Sequence, residues 1–255
     1  MERMMPESFL ILLSAGIMLA AAVSSAREVT LLWLRLCGII ALTVGGLACF
    51  FAYRTSSKVE PLLAATLAAI AVQLLLASLS YGRLQRIAAC AAYLLAVLVG
   101  TRLLRQAPEN APRQSTLLLS LSALGISAMT GLALMDMLLG HAYLTASKMT
   151  IAPFRRLNLA LAVVIVYRIA IAVGVVLLLQ YQNPVYMLWP IHGLYILTRW
   201  IVGLLVPAIF IYMAQDCINR RSTQSATGIL YVAAVLVFIG EIIATHLARA
   251  TALPF

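Results

Sequence analysis

Long apolar runs separated by short polar punctuation set the pattern of this chain from one end to the other. The runs cover residues 8–26, 30–53, 62–81 and 87–104, then a fifth that begins near Thr116, and then 157–180, 185–213 and 226–250. Each is long enough to cross a hydrocarbon core of about 30 Å as a helix, which takes about 20 residues. The pattern predicts an all-α fold: a polytopic integral membrane helix bundle of about eight transmembrane helices.

The punctuation orders these runs. Arg54, Ser56, Ser57, Lys58, Glu60 and Pro61 close the second, Arg83 and Arg86 mark a tight connection between the third and fourth, and Arg102 and Arg105 end the fourth. The most loop-like composition lies at 106–115, with Pro108, Glu109, Asn110, Pro112 and Arg113. It divides the chain into an N-terminal four-helix half, 1–105, read as supporting, and a C-terminal four-helix half, 116–255, which holds most of the polar chemistry. The uncharged turn Tyr181, Gln182, Asn183, Pro184 joins the sixth and seventh runs as a hairpin. Ser127 and Gly131 on the fifth run have the small-x-x-x-small spacing that lets helix backbones approach closely in lipid. The first run ends in Ala22, Ser24, Ser25 and Ala26, which imitate a signal-peptidase site. Its acidic head, Glu2 and Glu7, and the immediate second run favour a retained span.

Composition agrees with the pattern. At 64% hydrophobic and 10% charged residues the chain is too apolar for a soluble domain, where about 25% charged is usual. A net charge of +10 raises the question of nucleic acid, but the cations occur in ones and twos between apolar runs. Lipid headgroups and the positive-inside rule account for them, so the bilayer is the expected partner, with other subunits of a membrane complex beside it, and the cell membrane the expected location. Placing the loop with Lys148, Arg155 and Arg156 in the cytoplasm sets eight flanking cations inside against seven outside and makes both termini exoplasmic. The four cysteines lack C-x-x-C spacing and read as small packing residues, and no metal motif is present.

Chemistry concentrates after residue 135. The stretch from Met135 to Arg156 holds Asp136, His141, Tyr143, Lys148, Arg155 and Arg156, and the ionisable helices follow it. An ionisable group at the bilayer centre costs about 2.5–3.5 kcal/mol on insertion scales, so one found there faces a partner or a cavity. Arg168, Arg199, Glu241 and the helix-end Asp136 are the deep candidates. Arg168 and Arg199 stand near mid-bilayer on two arms of one hairpin, with Glu241 at a similar level on the last run, so Glu241 is expected to have Arg168 or Arg199 as its buried partner. On the seventh run His192, Tyr195 and Arg199 are spaced i, i+3, i+7, a row expected to look into the bundle, with Pro190 and Pro207 as kink points. His192 and His246 fall at matching depth on antiparallel neighbours, the arrangement that a bis-histidine b-type haem needs.

Three functional readings follow from these residues. The first is a membrane subunit for electron or proton transfer that handles quinone or b-type haem, with Arg168, Arg199, Glu241, Tyr195 and Asp136 as its proton, quinone or ion-pair residues and His192 and His246 as haem ligands. The second is a small-solute or ion transporter using the same polar centre, although the first four spans carry only Arg35 and Gln73 as notable polar groups and do not mirror the last four. The third is a scaffold or assembly subunit whose charges lock helices together. G-x-S-x-G, H-E-x-x-H and Walker motifs are absent, so the sequence carries no hydrolase or nucleotide-binding signature.

Overall fold

The computed structural model describes residues 6–24, 28–56, 60–105, 116–145, 150–182 and 189–250. They form helices α1 (Pro6–Val23), α2 (Leu31–Ser56), α3 (Pro61–Ser78), α4 (Gly82–Arg105), α5 (Thr116–Thr145), α6 (Ala152–Gln182), α7 (Trp189–Trp200), α8 (Val206–Asn219) and α9 (Thr223–Ala250). A π-helical turn, Ile201–Leu205, joins α7 to α8, so the two make one span and the described helices cross as eight. The protein is thus an all-α, multi-pass membrane bundle, and the described residues contain no strand.

Each span is helical because hydrocarbon offers no partner for a backbone N–H or C=O, so every such group must be satisfied within the segment. Which spans lie inside is decided by small side chains. Two thirds of the apolar windows of α1 and α5 (67% each) are buried, against 28% for α2, α3 and α6, so α1 and α5 form the central pair. α1 packs on α2, α4 and α5, while α5 also meets α6 and α9. At the α1–α5 crossing Gly16 and Gly131 touch backbone to backbone: a Cβ built on Gly131 would lie 1.9 Å from the Gly16 carbonyl carbon, and one on Gly16 would lie 1.7 Å from the Ser127 carbonyl oxygen. The Ser127/Gly131 spacing expected to allow close approach is the one used here.

Many large apolar side chains point outward, as expected of faces turned to lipid. Leu32 on α2, Leu79 after α3, Ile87 on α4, Leu117 on α5 and Val166 on α6 are each well exposed. The connections are stapled by a few polar contacts. Arg156 at the start of α6 donates two hydrogen bonds to Glu28 at 2.8 and 3.3 Å, the Tyr143 hydroxyl donates to the Thr150 carbonyl, and Arg35 donates to the Ser78 carbonyl at 3.0 Å. The sixth helix begins at Ala152, earlier than the apolar pattern predicts, because Arg155 and Arg156 are both exposed and so need not leave water.

Pro190 stands in the first turn of α7 as described, where a missing N–H breaks no helical bond. Pro207 does disturb its helix. The turn just before it widens, and the Val206 N–H donates to the Ile201 carbonyl five residues back. Gly203 lies inside this widened turn and meets Gly240 of α9 so closely that a Cβ on Gly203 would be 2.6 Å from the Gly240 Cα. This second glycine contact sets the spacing between the seventh span and the last.

Candidate functional site

Beside the Gly203–Gly240 contact three ionisable side chains meet, all fully buried. Arg168 from α6 donates from Nε to Glu241 Oε1 at 3.0 Å and from Nη2 to Oε2 at 2.7 Å, a bidentate pair that uses both carboxylate oxygens. Its Nη1 donates to the Ser122 hydroxyl of α5 at 3.3 Å. Arg199 from α7 brings Nη2 to 3.1 Å from Glu241 Oε1. That contact is an ion pair, so Glu241 holds Arg168 through two hydrogen bonds and Arg199 through charge at one oxygen. Each of the three residues has 0% of its surface exposed.

Backbone geometry makes room for two guanidinium groups at this depth. Gly125 of α5 lies under Arg168, where a Cβ would come within 2.3 Å of the arginine Cδ. Gly203 and Gly240 lie under Arg199, whose Nη1 would be 3.1 and 3.2 Å from a Cβ on each. Tyr167, next to Arg168, faces α5 and donates to the Leu121 carbonyl at 2.8 Å, which fixes the rotation of α6. The Glu241 carbonyl accepts from Thr245 at 2.7 Å.

The charges do not balance. Two guanidinium groups face one carboxylate, leaving one positive charge in the interior of the bundle. The Nε and Nη1 of Arg199 have no hydrogen-bond acceptor among the described residues. Both carry protons that would be hydrogen-bonded in water, so the site presents unsatisfied donors around an uncompensated charge.

The expected partner of Glu241 is therefore present twice, as Arg168 and as Arg199. Asp136 is not brought to them. It stands on α5 fourteen residues after Ser122, about 21 Å further along the helix axis, and is itself fully buried. The row expected on the seventh span also divides. Arg199 points into the bundle, Tyr195 is 42% exposed with its ring centroid 5.2 Å from that of His246, and the side chain of His192 lies outside the described residues. His141 is exposed at the opposite end of the last helix, where its Nδ1 is 3.4 Å from the Tyr231 hydroxyl. The described residues contain no cluster of three or more histidine, cysteine, aspartate or glutamate side chains suited to a metal ion.

Sequence reasoning missed Ser122, Gly125 and Gly203. A hydroxyl or a glycine in an apolar helix carries no signal of what it faces, and only the depth of Arg168 and Arg199 could have directed attention to small residues at the same level on neighbouring spans. Comparison of the chain with protein-family models, with curated proteins and with solved structures finds no match.

Proposed function

We propose that this membrane protein binds and carries a small anion, seated on Arg199 between α7 and α9. The observation that supports this reading is the surplus guanidinium: a buried positive charge whose Nε–H and Nη1–H lack acceptors, next to a carboxylate already held by another arginine. A carboxylate, a phosphate or a halide supplies both the missing charge and the missing acceptors. The π-helical turn that follows Arg199 widens the span at the level of the site, as π-helical turns inside helices often do at functional sites. Glu241 holds Arg168 and limits the net charge to one, which selects a small monovalent ligand over a highly charged one.

Thermal unfolding of the purified protein across a panel of sodium salts tests this. Chloride, phosphate and acetate at matched ionic strength are expected to differ, with one class raising the melting temperature saturably, and Arg199→Gln is expected to remove that response. Equal behaviour of all the anions, or a response that survives Arg199→Gln, would sink the proposal. Flux of the stabilising anion into proteoliposomes then separates carriage from binding.

The Tyr195–His246 ring pair favours a second reading, electron transfer on a quinone or b-type haem. A planar ring could lie along these two side chains with a carbonyl oxygen directed at Arg199, one helical turn deeper. His246 is half-buried, as an axial ligand at the margin of a bundle would be. A reduced-minus-oxidised absorption spectrum of the purified protein separates the readings: a b-type α-band supports haem, and a featureless spectrum with anion-dependent stability supports the carrier.

A further inference from the structure

Near the other end of the C-terminal bundle, a second buried polar group has no partner and belongs to neither glycine contact. Asp136 of α5 is fully buried, and neither carboxylate oxygen has a hydrogen-bond donor among the described residues. Asn158 of α6 is also fully buried. Its amide nitrogen donates to Gln215 Oε1 at 2.8 Å and to the Ile211 carbonyl at 3.3 Å, both on α8, while its Oδ1 has no donor.

Two contacts fix the register of the antiparallel α5–α6 pair and put these groups together. Gly125 lies against Arg168 at one end, and Gly140 lies against Phe154 at the other. One turn back from Gly140 along α5 is Asp136, and one turn on from Phe154 along α6 is Asn158, so the two are level in the same interface. Gly140 also lies against Thr227 of α9, which places the last helix on the third side.

Asp136 and Asn158 therefore bring three buried oxygens, none of them with a hydrogen-bond donor among the described residues, while the Asn158 amide nitrogen is spent on α8. A polar group buried in this way costs free energy until a donor or a cation arrives, and a carboxylate costs the most. The neighbouring groups do not meet the need. From α9 the hydroxyl of Thr227 is used by the Thr223 carbonyl, and Tyr231 is paired with His141. From α5 the Tyr143 hydroxyl is used by Thr150, and from α6 Arg156 is used by Glu28 while Arg155 points outward. From α8 Gln215 serves Asn158, and Asp216 is held by Arg220 at the surface. The facing stretch of α1, from Ile17 to Ala21, contributes no ionisable side chain.

We propose that Asp136 and Asn158 form a binding site for a small monovalent cation, a proton or a sodium ion, held among their three oxygens between α5, α6 and α9. A proton on Asp136 would turn its carboxyl into the donor that Asn158 Oδ1 lacks, and a sodium ion would take the same oxygens as ligands. The inference rests on Asp136 and Asn158 alone and stands whether or not Arg199 binds an anion.

Two measurements on the full chain in detergent test it. In the first, unfolding is followed in sodium chloride against choline chloride at equal ionic strength, with wild type and Asp136→Asn. A sodium site gives a saturable rise of a few degrees in wild type that Asp136→Asn abolishes. In the second, the infrared carbonyl band of a protonated carboxylic acid is sought in the difference between wild type and Asp136→Asn, and a proton site gives such a band. Asparagine keeps the shape of aspartate and adds its own donor, so the variant is expected to fold, and Asn158→Ala is expected to weaken the sodium response or shift the band. Absence of both signals in folded wild type, or a sodium response equal in wild type and Asp136→Asn, would overturn the proposal.

Discussion

Glu241→Gln is expected to lower the unfolding free energy by about 3–5 kcal/mol, the range for breaking a buried ion pair by removing one partner. Glutamine has nearly the same volume, so the loss comes from charge. Arg168 would keep one amide oxygen as an acceptor and meet an NH2 donor in place of the other of the two oxygens now 2.7 and 3.0 Å from its nitrogens, and Arg199 would lose the carboxylate charge at 3.1 Å, leaving two guanidinium groups uncompensated in the interior. Denaturant or thermal unfolding in detergent measures the change, and a variant as stable as wild type would mean that the carboxylate does not neutralise either arginine. The triple variant Arg168→Met, Arg199→Met, Glu241→Leu separates stability from function. Replacing a buried ionic triad by apolar side chains of similar volume is often neutral or stabilising. If the charges serve only to lock helices, the triple variant keeps every anion response of the wild type. Under the carrier reading it folds and has lost the response.

The second large effect is expected at the α1–α5 crossing. In an open helix Gly→Ala gains about 1 kcal/mol from propensity. At Gly131 the sign reverses, because the new Cβ would sit 1.9 Å from the Gly16 carbonyl carbon, a backbone atom that no rotamer change can move aside. Gly131→Ala should therefore destabilise the protein by about 3 kcal/mol, the upper end of the usual cost of overpacking, by forcing the two central helices apart. Gly174 on α6 is the internal control: no atom of a neighbouring helix or side chain among the described residues lies within 4 Å of a Cβ there, so Gly174→Ala should be neutral or stabilising. Equal effects at the two positions, read from melting temperatures of the two variants, would contradict the backbone contact.

Much of this architecture is legible in the amino-acid order. Eight apolar runs determine eight spans because a helix of about 20 residues matches the thickness of the hydrocarbon core, and the depth of a charge follows from its distance to the run's end. Depth alone brought Arg168, Arg199 and Glu241 to one level and led to the expectation that the carboxylate pairs with an arginine. Asp136, grouped with them as a helix-end candidate, stands about 21 Å further along α5 than Ser122.

What only the tertiary structure decided is lateral. Lipid tails are as apolar as leucine, so a hydrophobic side chain does not reveal whether it faces the bundle or the bilayer, and the periodicity that marks the buried face of a soluble helix is lost. The faces are set instead by small residues whose partners lie far away in sequence: Gly16 against Gly131, Gly125 under Arg168, Gly203 against Gly240. For the same reason Tyr195 and Arg199, one turn apart on one helix, divide between the exterior and the core, and Asn158 gave no sign that it shares an interface with Asp136. The sequence by itself determined how many helices cross and how deep each charge lies. Which charges meet, and that one guanidinium is left over, depended on how closely particular backbones approach.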